Sequence, residues 1–436
     1  MKKHLYLFLS LILGVVFASC SDNDDVIKTY QVGVQLQLPA DVQTDMEGVA
    51  ITLTDAAGQA YQETTDANGL ATFTVPAGIY EAASNFRIAQ DGYSIVFNGI
   101  SSGVVVNEQW TAGKTVTLEM LESKTGQLLI KEIYIGGCLQ NDGKTGWTRD
   151  KYVIIYNNSD QEANVHNLCI GVLAPANAHA SINDYDENGR LNYEGEDFLP
   201  VGAAGYWYFP GDLSIEPWGQ VVVALFQAID HTATYSNSVD LSDSNYYVMY
   251  DVADFDNVNY YPAPSQNIPT NHYLNAVKYG MGNAWVIGDF SPAMVLFTLD
   301  DPESYGQNVS NYYYYAGKDN NQVYLCVKVP KANILDGVEV FSEPNKDASK
   351  KRITADVDGG YSLLTNKTGH SNYRAVDKSA TEALVENVGK IVYGSTEDAS
   401  GIDAEASIKN GAHIVYQDTN NSTNDFYQRS QASLRK

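Results

Sequence analysis

The sequence predicts an all-β protein of two tandem β-sandwiches, a small one over residues 30–121 and a larger one over 128–436 carrying long insertions and one short helix. Three observations carry this expectation. Tyrosine, a strand former, occurs 31 times, and 35 glycines supply tight turns. Apolar residues recur with a period of two, the mark of half-buried strands. Turn clusters, DAAG at 55–58 and TDANG at 65–69, separate those runs.

The chain opens with a different signal. Lys2 and Lys3 precede an apolar run from Leu5 to Phe17, interrupted by Ser10. That run is too short to span a bilayer comfortably and suits a signal-peptide core. Ala18 and Ser19 supply small side chains, and Cys20 follows. This arrangement resembles a bacterial lipobox, which implies a signal peptide over 1–19 and a lipid on Cys20. Ser21, Asp22, Asn23, Asp24 and Asp25 resemble the surface-export signal of Bacteroidetes lipoproteins. Residues 20–29 then read as an acidic tether. The two resemblances imply an outer-membrane protein, held by its lipid and exposed at the cell surface. Two or more acyl chains hold a protein stably, at about 0.8 kcal/mol per buried methylene.

The first sandwich is read from alternation. Val32, Val34, Leu36 and Leu38 alternate with Gln31, Gly33, Gln35 and Gln37; Val49, Ile51 and Leu53, then Ala71, Phe73 and Val75, repeat the pattern. The stretch TTDANGLATFTVPAGIYEA at 64–82 resembles the carboxypeptidase-regulatory-like, or transthyretin-like, sandwich. That resemblance implies a spacer or docking module. ESKTGQ at 122–127 reads as a linker.

The second body starts at Leu128. LLIKEIYIGG and YVIIYNNSDQEANVHNLCI (152–170) resemble the lamin-tail domain, an immunoglobulin-like sandwich. FPGDLSIEPWGQVVVALF (209–226) reads as a Pro-Gly turn leading into a buried strand. VYLCVKVP (323–330) and VEVF (338–341) read as further strands. DTNNSTNDFYQRSQASLR, near the C-terminus, is similar to the closing loop of such domains. Ser379 and Glu382 have capping-box spacing, predicting a helix that stops at Gly389. As a whole the chain resembles a family of Bacteroidetes lipoproteins, domain of unknown function 4876. The resemblance implies a partnership with TonB-dependent outer-membrane transporters.

Charge narrows the partners. Fifty-three acids face 27 bases, a formal charge of −26. Nucleic acid is an unfavourable partner for such a surface, because phosphate binding needs a basic footprint. After Cys20, Cys138, Cys169 and Cys326 lack CxxC spacing and allow at most one intrachain disulfide.

Candidate chemistry is sparse. DYDENGRLNYEGE at 184–196 carries the first half of a calcium loop: Asp184, Asp186 and Asn188 alternate before Gly189. The twelfth position is Gly195, flanked by Glu194 and Glu196, so a Ca2+ site needs altered geometry; an ordinary acidic turn is the competing reading. His231 follows a predicted buried strand and enters a polar loop, where sites tend to lie. Tyr246, Tyr247, Tyr260 and Tyr261 form one aromatic cluster, and Tyr312, Tyr313, Tyr314 and Tyr315 another. They suit stacking on sugars or a protein interface, and equally suit packing on their own sheet. No P-loop, GxGxxG or HExxH occurs, and the one GxSxG match, GISSG at 99–103, lies in the first sandwich with no nucleophile-elbow context around it. The expectation is a non-catalytic surface lipoprotein that binds a ligand or partner beside a TonB-dependent transporter. The alternative is a calcium-dependent glycan-binding or adhesive protein.

Overall fold

The computed structural model describes residues 28–39, 42–90, 93–111, 113–125, 127–178, 184–202, 204–289 and 291–435. Cys20, the expected signal peptide over 1–19 and the expected acidic tether up to residue 27 lie outside the described residues. The chain is all-β, with strands in several sheets and a few short helices. Among the described residues no helix is long and apolar enough to cross a membrane.

The N-terminal sandwich has two sheets. Thr29–Gln37 lies between Leu70–Pro76, antiparallel, and Thr115–Glu119, parallel. The facing sheet runs Ala60–Thr64, Ala50–Asp55, Gly78–Gln90, Tyr93–Val106, Leu121–Thr125. Val32, Val34 and Leu36 meet Ile51, Leu53 and Phe97 in its core, as the period of two requires. At the turn before Leu70, Asp66 accepts bonds from the amides of Asn68 and Leu70, and Gly69 takes φ 79°. The stretch read as a linker differs from its expectation. Residues 121–125 form an edge strand against Tyr93–Val106, because Leu121 continues the sheet opposite Asn98.

The larger body is built on a twelve-stranded sheet. Its order is Ser362–Leu364, Ile334–Ser342, Ala293–Thr298, Leu168–Val172, Gly205–Tyr208, Tyr273–Lys278, Tyr247–Met249, Gln220–Ala224, Tyr152–Asn157, Leu128–Tyr134, Ser371–Arg374 and Phe426–Arg429. The two halves face one apolar core, in which Ile130, Val153 and Val223 meet Ile170, Trp207 and Leu296. Leu128–Tyr134 also approaches Ile334–Ser342, where the Ile130 amide donates to Asp336 Oδ2 at 2.5 Å.

Several strands are buried on both faces, so their sequences read as continuous apolar runs. In Ala293–Thr298, Met294 and Leu296 face the inner core. Val295 and Phe297 face a second core, covered by the small sheet Phe198–Val201, Leu325–Pro330, Tyr312–Tyr314.

The single expected helix is one of four short α-helices among the described residues: Pro302–Gln307, Lys378–Ala383, Ala404–Lys409 and Ser422–Asp425. The N-cap of the second is Asp377, whose carboxylate accepts from the Ala380 amide at 2.9 Å, in place of Ser379. That helix ends early. Asn387 donates its side-chain amide to the Thr381 carbonyl at 2.7 Å, satisfying an acceptor that a further helical turn would have used.

Candidate polar pocket over Lys131 and Tyr373

The site starts from an irregularity in one strand. Leu128–Tyr134 pairs with Tyr152–Asn157 in a register that passes from Glu132 opposite Ile154 to Ile130 opposite Ile155. Lys131 is therefore the extra residue of a β-bulge. Bulges re-aim side chains, and here the apolar alternation is broken by two successive charged residues. Ile130 and Ile133 stay in the inner core. Lys131 pairs with Glu405 and Glu132 accepts from Ser433, both outside the strands of the sheet.

Both charges are buried and partnered. Lys131 Nζ lies 2.8 Å from Glu405 Oε1 and donates to Gln220 Oε1 at 2.8 Å. The rings of Tyr156, Tyr373 and Tyr416 surround it, with centroids at 5.9, 5.5 and 5.7 Å. Tyr373 donates its hydroxyl to Glu405 Oε1 at 2.7 Å, so Tyr416 donates to the Tyr373 oxygen at 2.8 Å. Burial pushes the Glu405 carboxyl up. The Lys131 charge and the bonds from Lys131 and Tyr373, with help from Arg429, overcome this and hold it below its usual value. Glu132 accepts from Ser371 Oγ at 2.5 Å and from the Ser433 amide and hydroxyl, tying the C-terminal segment to the sheet. Its pKa is raised, chiefly by burial.

A pocket of about 290 Å³ opens above this network. Its base includes Tyr373 and Glu405. Tyr427, directly opposite Tyr373 in the antiparallel register, forms one wall, with the rings 5.9 Å apart. Arg429 is on the same face two residues on, its guanidinium 5.2 Å from the Tyr373 ring centre. Burial lowers the Arg429 pKa, but Glu132, Tyr373 and Glu405 outweigh it and raise the value. Asp403 and Glu397 complete the acidic side. Asp403 caps Ala404–Lys409 through Oδ1, and Glu397 Oε1 accepts from the Ser430 amide.

The residues singled out in the sequence lie elsewhere. Asp184 is fully buried: Oδ1 accepts from Asn192 Nδ2 at 2.7 Å and the Ala316 amide at 2.9 Å, and Oδ2 from the Tyr313 hydroxyl at 2.8 Å. Asp186 accepts from the amides of Asn188 and Arg190 and pairs with the Arg190 guanidinium. Asn188, Glu194 and Glu196 are exposed. The structure thus joins Asp184 to the second tyrosine cluster through Tyr313 and does not gather the five loop donors. Among the described residues no group of three or more His, Cys, Asp or Glu side chains is placed to hold a metal.

His231 is buried and satisfied at both nitrogens. Nδ1 accepts from Trp147 Nε1 at 3.3 Å, which leaves Nε2 to donate to the Gln227 carbonyl at 2.9 Å. Its pKa is lowered, first by burial. The tyrosine clusters are largely absorbed by packing. Tyr261 is buried and donates to the Trp285 carbonyl; Tyr315 is buried and donates to the Val323 carbonyl. Tyr247 stacks on His272 at 4.3 Å, Arg149 covers Tyr260 at 4.1 Å, and Tyr246 packs half-buried on a side core. Tyr312 and Tyr314 keep partial exposure on an edge strand. Sequence reading missed Lys131, Tyr373, Glu405, Tyr427 and Arg429. The available signal was the adjacent Lys-Glu inside the otherwise apolar LLIKEIYI.

Comparison with known proteins places this architecture. The crystal structure of a DUF4876 family protein from Bacteroides thetaiotaomicron is similar, with 21% identity over 91% of this chain and 94% of that one, and a TM-score of 0.52. A DUF3823 family protein from Parabacteroides merdae matches 43% of this chain and 79% of its own, at 11% identity and a TM-score of 0.13. The Bacillus anthracis TIE protein matches 44% of this chain and 27% of its own, at 16% identity and a TM-score of 0.16. No curated protein matches. The family described as Protein of unknown function (DUF4876) matches residues 216–433, a span that holds Tyr373, Glu397, Asp403, Glu405, Tyr427 and Arg429. The chain belongs to the DUF4876 family.

Proposed function

We propose that this protein is a non-catalytic lipoprotein, anchored in the outer membrane through Cys20 and exposed at the cell surface. There it binds a ligand or partner as an accessory to a TonB-dependent uptake system. The observation that carries the binding role is the pocket over Tyr373. Its charged walls are held in place by the Lys131–Glu405 pair and the Asp403 cap, so little side-chain freedom is lost when it fills. The anchor rests on the small-small-Cys pattern and the acids after it. The Bacteroides relative of the same family supports the lineage in which that export signal is used.

A gentle pull-down of a C-terminally tagged copy from outer membranes, with partners identified by mass spectrometry, tests the accessory role. Stoichiometric recovery of a TonB-dependent barrel supports it. Recovery of the lipoprotein alone sinks it.

A further inference from the structure

We infer that the pocket formed by Tyr427, Arg429, Glu405, Asp403 and Glu397 binds one saccharide unit that bears no acid group. This inference rests on the reading of the chain as a ligand-binding protein and names the ligand class. The pocket, at about 290 Å³, lies at the small end of ligand sites, so it takes a unit and not an extended chain.

The hydrogen-bonding groups left over define the chemistry. Arg429 uses Nη1 on the Gln431 carbonyl and has no further hydrogen bond among the described residues. Glu405 takes its bonds at Oε1, Asp403 at Oδ1 and Glu397 at Oε1, which leaves one oxygen of each carboxylate without a hydrogen bond among the described residues. Donors and acceptors thus lie side by side. A sugar hydroxyl both donates and accepts, so a ring of adjacent hydroxyls answers such a wall, and charged partners make those bonds strong. The half-buried ring of Tyr427 offers an aromatic face for the sugar's C–H groups.

Electrostatics sets the second limit. Three carboxylates line the pocket against one guanidinium, and the nearby Lys131 ammonium is spent on Glu405 and Gln220. A carboxylate or phosphate on the ligand meets excess negative charge in a site of reduced dielectric and is repelled. Neutral and amine-bearing sugars are accepted, and uronic acids are excluded.

Equilibrium binding to the full-length lipoprotein, in a detergent without a sugar headgroup, tests this with D-glucosamine, D-glucose and D-glucuronate. Glucosamine and glucose should bind saturably in the millimolar range, and glucuronate should not. Ser430→Trp, on the exposed rim, should weaken binding at least tenfold while circular dichroism and melting stay as in the parent, and Arg429→Gln should weaken binding at least tenfold as well. The inference is overturned if no sugar saturates, if glucuronate binds as well as glucose, or if Ser430→Trp leaves affinity unchanged. Should the sugars fail while a TonB-dependent barrel is recovered in the pull-down, the saccharide inference falls and the accessory role stands. Should sugars bind and the lipoprotein come down alone, the reverse holds.

Discussion

Lys131 shows how one side chain can organise a site. A lysine in a buried strand must lose its hydration, at a cost of several kcal/mol. Here the loss is offset by one carboxylate, one amide oxygen and three ring faces. Removing only one partner leaves the other charge stranded. Lys131→Met is expected to lower stability by about 3 kcal/mol, the low end for a buried pair because the Glu405 side chain keeps 22% of its surface exposed. The double variant Lys131→Met, Glu405→Gln should recover more than half of that loss. Urea unfolding of the single and double variants measures it, and strictly additive losses would contradict the pairing. The same logic explains why Asp184 is no open ligand: its two oxygens already accept three protein donors.

At the scale of elements, what was legible depended on periodicity. Val32 to Leu38 alternates cleanly, and its strand is found where expected at Thr29–Gln37. VYLCVKVP and VEVF are apolar runs, and both lie in strands at Leu325–Pro330 and Ile334–Ser342. The helices were less legible, since each spans six residues or fewer and is fixed by caps and not by an amphipathic stripe. Asp377 caps Lys378–Ala383, although Ser379 had the better sequence spacing. Asp377→Ala should therefore cost about 1 kcal/mol, and Ser379→Ala close to nothing, in thermal or urea unfolding; the opposite ranking would reinstate the capping box. The pocket was illegible for another reason. Lys131, Tyr373 and Arg429 are brought together by strand order across the large sheet, and Glu405 by the helix Ala404–Lys409; no local pattern records either. The tyrosine-rich stretches drew attention by composition, yet buried tyrosines such as Tyr261 and Tyr315 mainly bond to backbone carbonyls.

The whole molecule is closed by a buried charge cluster with an unusual balance. Arg374 meets Asp336 Oδ2 at 2.5 Å, Asp418 Oδ1 at 3.2 Å and Asp425 Oδ2 at 3.8 Å, joining two strands to the loop and short helix that precede Phe426. One guanidinium does not neutralise three carboxylates. Burial pushes Asp336 and Asp425 up to about 7, against the pull of Arg374 and with the push of Asp418. Because the folded values lie above the ordinary 3.8, the folded chain holds protons that the unfolded chain releases. Their contribution to stability is complete below about pH 4 and is lost as pH rises to about 7. The urea midpoint should therefore be higher at pH 5.5 than at pH 7.5. Asp418→Asn should narrow that difference, and equal midpoints in the parent would count against the cluster. His231, whose pKa is lowered, works in the opposite direction inside this range as pH falls below the ordinary 6.5, but it is one group against two, and Glu405, also lowered, loses its stabilisation below the range as it protonates.

Outside the cell is where every part of the functional reading needs this molecule to be: the lipid on Cys20, the acids after it, the transporter and the sugar. Protease added to intact cells is the most direct measurement, with a periplasmic protein as the internal control. The protein should be degraded while the control survives. Full protection on intact cells, with degradation only after the outer membrane is opened, would place the protein in the periplasm and overturn surface exposure.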